Sequence, residues 1–356
     1  MKKISLIATV TVYTLLSLYA FTTTRRTRTS IIIFPFFEVE VNESTFVKEH
    51  TQPIYKAYPR DINARRKLLE EAVGKQNIQN GTLKYPSIRI KKYGRLGNNI
   101  LQLSNAIFLS EAMNTSTIYI NKGFCFIHNN ITTSKGIKII PTGKAPKETV
   151  TLYSELFGLK AKGHFPETRG YEFGNESLKD IPRIETDDEA LYIHVRSGDV
   201  FKDNPNKYYG QPPLCYYESI INIWGFKDVY VIAEDTKNPV IDALIKKYNV
   251  THINTTVPET IGYILSAKNV AISSGSFVPS ILRLAPDDPS KKIFKYGGSF
   301  GINADIWRKF YFTTTSKYYC DHILGNHWNN TKEQYEIMLN ESCGNEWYSH
   351  HTHLET

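Results

Sequence analysis

From Ser87 onward, short apolar runs alternate with amphipathic stretches, and this alternation predicts strands and helices in turn. SIRIKK reads as a strand, YGRLGNN as a Gly-rich turn, and ILQLSNAIFLSEAM as a helix. That helix carries Ile100, Leu103, Ile107 and Met113 on one face, widened by Ala106 and Leu109; TIYI follows as a strand. After Asp180 the pattern returns more clearly. Leu191–Val195 reads as a strand, followed by a polar loop to about Gln211 and a helix, PPLCYYESIINIW, opened by Pro212 and Pro213. Val229–Ala233 and Asn269–Ser273 read as strands; Pro239–Tyr248, Thr260–Ala267 and Phe277–Leu284 read as helices. Strands alternating with helices imply βαβ units and parallel sheets. Two such blocks predict an α/β protein of two Rossmann-like domains facing across a cleft. The first should span residues 87–180 on the acceptor side, and the second 181–310 as the nucleotide-binding side, with a C-terminal extension over 311–356.

The N-terminal part has a different texture. Ile4 to Phe21 contains no charge, and as a helix it would be about 27 Å long, close to one bilayer core. Residues 1–24 therefore read as a short tail and signal anchor. A cleaved signal peptide is the alternative, although Leu18 fits the small-residue rule before Ala20 poorly. Arg25, Arg26 and Arg28 after the span oppose a cytoplasmic N-terminus. Residues 25–86 show no sustained periodicity and read as a stem, with a helix around Ala64–Val73.

Composition narrows the class. At 22% charged and 41% hydrophobic, the 356 residues are ordinary globular material. The net charge is +8, but Lys2, Lys3 and the three arginines supply +5 of it, leaving 8 − 5 = +3 for the body. No basic block remains, so no nucleic-acid footprint is expected, while an anionic small substrate would suit. Nine N-x-S/T sequons occur, at Asn42, Asn80, Asn114, Asn130, Asn175, Asn249, Asn254, Asn329 and Asn340. Such sites are glycosylated only in the secretory lumen. Of the four cysteines, Cys125, Cys215, Cys320 and Cys343, the pair Cys320 and Cys343 would close the C-terminal tail and is the expected disulfide. Unpaired buried thiols are the alternative.

Three motifs fall at strand ends, where ligands of such folds bind. Gly94-Arg95-Leu96-Gly97-Asn98-Asn99 follows the first strand. Its glycines would admit a close ligand, and Asn98 could hydrogen-bond a substrate or simply cap the helix. His194-Val195-Arg196-Ser197-Gly198-Asp199 ends a strong strand, and Arg196 there could clamp a phosphate. The bland reading is an Arg196–Asp199 structural pair beside a core histidine. Ser273-Ser274-Gly275-Ser276-Phe277 could cradle an anionic oxygen or cap a helix. Asp235, ending VYVIAED, is the weakest candidate.

Together the three motifs resemble the fucosyltransferase superfamily, which includes α1,2-, α1,6- and protein O-fucosyltransferases, over roughly residues 87–300. GRLGNN is similar to that family's G-R-L/F-G-N-Q, HVRSGD to the H-V-R-R-G-D of the α1,2 enzymes, and AISSGSF to their small-residue motif. The resemblance implies a GT-B fold and a Golgi membrane protein, single-pass type II with a lumenal catalytic domain. It also implies inverting transfer of L-fucose from GDP-fucose to a glycan or glycoprotein hydroxyl. Arg196 would bind the β-phosphate and stabilise the leaving diphosphate, Asn98 would hold donor or acceptor, and Asp199 would orient the loop. His194, Gly97, Asp235, Glu259, Ser273, Ser274 and Ser276 would complete the donor site, with Glu259 as the acid nearest the position that recognises guanine. No Asp-x-Asp triplet occurs, which favours metal-independent transfer without a cofactor. Ser197 and Asn99 depart from the pattern, and the acceptor and linkage stay open. The competing readings are the same fold with another donor, such as GDP-L-galactose or a UDP-sugar, and a non-catalytic glycan-binding protein.

Overall fold

The computed structural model describes residues 29–32, 38–41, 47–49, 67, 70, 73–80, 82–153, 156, 171–285, 288, 290–296, 310–313, 316–344 and 347–350. The expected anchor and the Asn42 sequon lie outside them. Among the described residues no helix is long and apolar enough to cross a membrane. Residues 1–46 form a unit of their own, in which strands β1 (Thr29–Ile32) and β2 (Glu38–Val41) pair antiparallel.

The remainder, residues 47–356, is one compact unit built on two parallel sheets. After β3 (Val47–Glu49) and a small hairpin of β4 (Ile78–Gln79) and β5 (Thr82–Leu83), the first sheet begins. It consists of β6 (Ser87–Ile90), β7 (Thr117–Ile120), β8 (Ile131–Thr132), β9 (Lys138–Pro141) and β10 (Thr149–Leu152), in the order β10-β6-β7-β9-β8. Only β8 runs antiparallel to its neighbour. Helix α1 (Leu96–Ala112) connects β6 to β7, and α2 (Tyr171–Leu178) leads toward the second sheet.

That second sheet has eight strands. Its parallel body is β13 (Thr251–Ile253), β12 (Val229–Ile232), β11 (Leu191–His194), β14 (Asn269–Ile272), β15 (Lys292–Tyr296) and β16 (Phe310–Thr313), side by side. Strand β17 (Trp347–His350) adds antiparallel to β16, and β3 closes the edge. Part of the segment expected as stem, and part of the expected C-terminal extension, thus belong to this sheet. The crossovers are α3 (Leu214–Trp224), α4 (Pro239–Tyr248), α5 (Val257–Ser266) and α6 (Phe277–Leu282), followed by α7 (Lys317–His322) and α8 (Lys332–Asn340). Local chemistry sets their ends. Gly225 terminates α3 at φ 68, Asn238 caps α4 ahead of Pro239, and Thr256 with Glu259 forms a capping box on α5.

One apolar core runs without a break from Ile88, Ile100 and Ile118 of the first lobe to Ile272, Val278 and Ile281 of the second. The other face of the second sheet buries Ile193, Val231, Trp224, Phe294 and Trp347. The lobes meet where α1 crosses α6. A Cβ at Gly97 would lie 2.7 Å from the Ser276 carbonyl carbon and oxygen and 2.8 Å from Phe277 N, so only glycine permits this crossing. Ser280 Oγ donates to Gly97 O across it at 3.0 Å.

The expected Cys320–Cys343 bridge is corrected: Cys343 pairs with Cys215, Cα to Cα 5.5 Å, across a sequence separation of 128. Helix α8 packs on α3 and brings the turn that follows it against Cys215. Cys125 and Cys320 are free thiols, and burial pushes the Cys125 thiol well up.

Candidate active site

The loops after β6, β11, β12, β13 and β14 converge on one cavity of about 470 Å³, at the carboxyl ends of both sheets. All three sequence motifs contribute to its wall. This volume is within the range of small-ligand pockets.

Arg196 is the best-positioned cation in it. Its side chain is 14% exposed. The Tyr209 ring lies 4.3 Å from Cζ, and Gly275 is close enough that a Cβ would stand 2.6 Å from Nη1. Gly275 has φ 134, open to glycine alone in practice. Nη2 donates to both Asp199 carboxylate oxygens at 3.4 Å. The backbone is equally fixed: Arg196 N donates to Ser273 Oγ at 2.9 Å, and Arg196 O accepts from Asn238 Nδ2 at 3.0 Å. Yet Nε is buried with no partner, and so is the hydroxyl of Ser274. Both residues line the cavity, and a guanidinium there suits an anionic ligand.

His194 completes this corner. Its ring lies against Phe277 at 5.4 Å between centroids, and Nδ1 is 3.1 Å from Ser273 Oγ. Ser273 Oγ, which accepts the Arg196 amide, either donates to Nδ1 or accepts from it, according to the imidazole tautomer. Burial, reinforced by the Arg196 charge, lowers the histidine to about 4, so the ring is neutral near pH 7.

Gly97, Asn98 and Ser276 also line the cavity, and they belong to the contact between lobes as well. Ser276 Oγ donates to Asn98 Oδ1 at 2.7 Å, leaving the Asn98 amide protons for a ligand. The close approach permitted by Gly97 is to the backbone of α6.

Two expected site residues do not line the cavity. Asp235 accepts from Ser197 Oγ, from Gly198 N at 3.1 Å and from Lys237 N at 3.1 Å. Burial opposes its ionisation, but these bonds outweigh burial and hold the carboxyl below its ordinary value. This also explains Ser197: it is buried, bonded to Asp235 and to Asn238 N at 3.0 Å, and leaves no room for a second arginine. Glu259 is the N3 residue of the α5 capping box, and the Thr256 amide and hydroxyl hold its carboxylate below the usual range.

Two residues that the motifs did not single out for chemistry do line it. Arg95 reaches across the cleft to Glu234 through two bonds of 3.1 and 3.0 Å, and its Nη1 donates to Asp199 at 3.3 Å. Arg95 was visible inside GRLGNN. Glu234 had one available signal, its place directly after β12.

No protein-family model and no curated protein matches the chain. Among the solved structures that match at low level are two of one enzyme. One is E. coli heptosyltransferase WaaC with ADP-2-deoxy-2-fluoro heptose, at 10% identity and a TM-score of 0.35, covering 62% of this chain and 91% of that one. The other is E. coli heptosyltransferase WaaC with ADP, also at 10% and 0.35, covering 70% and 96%. Likeness of this degree bears on neither donor nor reaction.

Proposed function

We propose that the chain is a glycosyltransferase that transfers a sugar, L-fucose, from its GDP diphosphate to an acceptor hydroxyl with inversion. The carrying observation is the convergence of the three motifs on one cavity, with Arg196 fixed by Asp199, Tyr209 and Ser273 on its wall. In this reading Arg196, Ser274 and His194 meet the diphosphate, and the fixed guanidinium stabilises the charge that develops as it leaves. A cation held in advance gains most in a site closed to water. Asn98 orients the sugar from the opposite lobe. Transfer needs no metal, consistent with a chain that contains no Asp-x-Asp triplet and presents its cation as a side chain.

The body is read as lumenal, anchored through residues 4–21. The sequons support this. All eight described sequon asparagines are exposed, whereas only 6 of the 13 other described asparagines are. Glycans need exposed attachment points, and a long-range disulfide suits an oxidising compartment.

The test is thermal stability of residues 38–356 with GDP, UDP, CMP or ADP in the presence of EDTA. Binding to the native state raises the melting temperature. A shift with GDP alone supports the reading. A shift with UDP, or with none of the four, would sink it.

A further inference from the structure

Glu234 and Arg95 have no role in the donor site, yet both line the cavity. Charges alternate along its wall: Arg196 meets Asp199 at 3.4 Å, Asp199 meets Arg95 at 3.3 Å, and Arg95 meets Glu234 at 3.0 Å. Glu234 stands at the end of this series away from Arg196. Its carboxylate lies against Gly198, where a Cβ would come within 2.2 Å of Oε1, so the backbone is cut back to admit it. At 43% exposed, the side chain remains open to a substrate. Asp199 accepts from two guanidinium groups, Arg95 and Arg196, whereas Glu234 accepts from one, Arg95.

Resting on the reading of glycosyl transfer from a nucleoside diphosphate, we infer that Glu234 is the catalytic residue that accepts the acceptor's proton, and that Arg95 is its positioning residue. As the acceptor oxygen bonds to the anomeric carbon, its proton passes to a Glu234 carboxylate oxygen. The bond from the anomeric carbon to the phosphate oxygen breaks, and its electron pair leaves with the diphosphate. The diphosphate gains one negative charge beside Arg196 while Glu234 loses one. Neutral Glu234 no longer balances Arg95, whose charge then acts on the departing diphosphate. The proton leaves to solvent afterwards. One ion network would thereby couple deprotonation at one end of the cavity to leaving-group stabilisation at the other.

The experiment follows GDP release from GDP-fucose, with water and then with methyl β-galactoside as acceptor, beside calorimetric GDP affinity of the same proteins. Glu234→Gln keeps the shape and one bond to Arg95, so it retains the fold and the GDP affinity within about twofold. Its turnover falls on the order of 10²–10³-fold, as loss of a general base does. Sodium formate restores turnover to Glu234→Ala by taking the proton, which a residue that merely ties the lobes together would not allow. Arg95→Ala loses turnover without formate rescue. Near-normal turnover in Glu234→Gln, or GDP affinity that falls in step with turnover, overturns the inference and leaves the donor reading standing. A wild-type protein that neither binds nor releases GDP overturns both.

Discussion

Gly97→Ala tests how the lobes are joined. The added methyl would sit 2.7 Å from the Ser276 carbonyl group, against about 3.4 Å for ordinary contact, so the helices must part by roughly 3.4 − 2.7 = 0.7 Å. The obstacle is backbone and cannot rotate away. Separation would also stretch the bond from Ser280 to Gly97 O and the Ser276–Asn98 bond beside it. Overpacking of this kind costs about 1–3 kcal/mol, and the backbone contact argues for about 3. At about 1.3 °C per kcal/mol for 356 residues, the melting temperature should fall by about 4 °C. Gly143, with open space around it and no positive φ, provides the control, and Gly143→Ala should be neutral or slightly stabilising. Urea and thermal unfolding of both variants measure the difference. Equal stability of Gly97→Ala and wild type would refute the crossing of α1 and α6 as described.

Other outcomes follow from the same structure. Replacing Cys215 and Cys343 by alanine should destabilise the fold by about 4–5 kcal/mol in a chain-entropy model of a 128-residue separation, whereas Cys320→Ser should be nearly silent; denaturant unfolding separates them. His194 is held near 4 when folded, against 6.5 unfolded, so its contribution is complete above pH 6.5 and is lost as pH falls toward 4. It amounts to about 3 kcal/mol, and His194→Gln should flatten that part of a stability–pH curve. Tyr209→Phe keeps the ring on Arg196 and should leave GDP affinity intact, whereas Tyr209→Ala should weaken it about 3- to 30-fold, read by calorimetry.

Much of the site was legible because it is written in short segments. Strand-to-loop junctions carrying Gly, Ser and Asn are local signals, and three of them fell where parallel strands end. The N-terminal start of α5 is also legible: Thr256 and Glu259 form an S/T-x-x-E capping signature, which begins the helix at Val257 and engages Glu259 as a cap rather than a ligand contact. Glu234 and Asp235 illustrate what was not. They are adjacent carboxylates after one strand, and which of them faces the cavity depends on Ser197 and Gly198 of the neighbouring loop. The partner of Arg95 is 139 residues away and belongs to the other lobe. The Cys215 bridge fails to show for the same reason, since it depends on how α8 packs on α3. The residue type of Gly97 signals a close neighbour, but the neighbour it admits is a helix from the opposite lobe rather than a ligand.

The most direct measurement is the calorimetric affinity for GDP of wild type and Arg196→Ala, in EDTA. Wild type should bind, and loss of the clamped guanidinium should weaken binding about 30-fold or more, as expected for charge-assisted bonds worth about 2 kcal/mol. Equal affinity in the two proteins, or no binding by wild type, would contradict the assignment of this cavity to a nucleoside diphosphate.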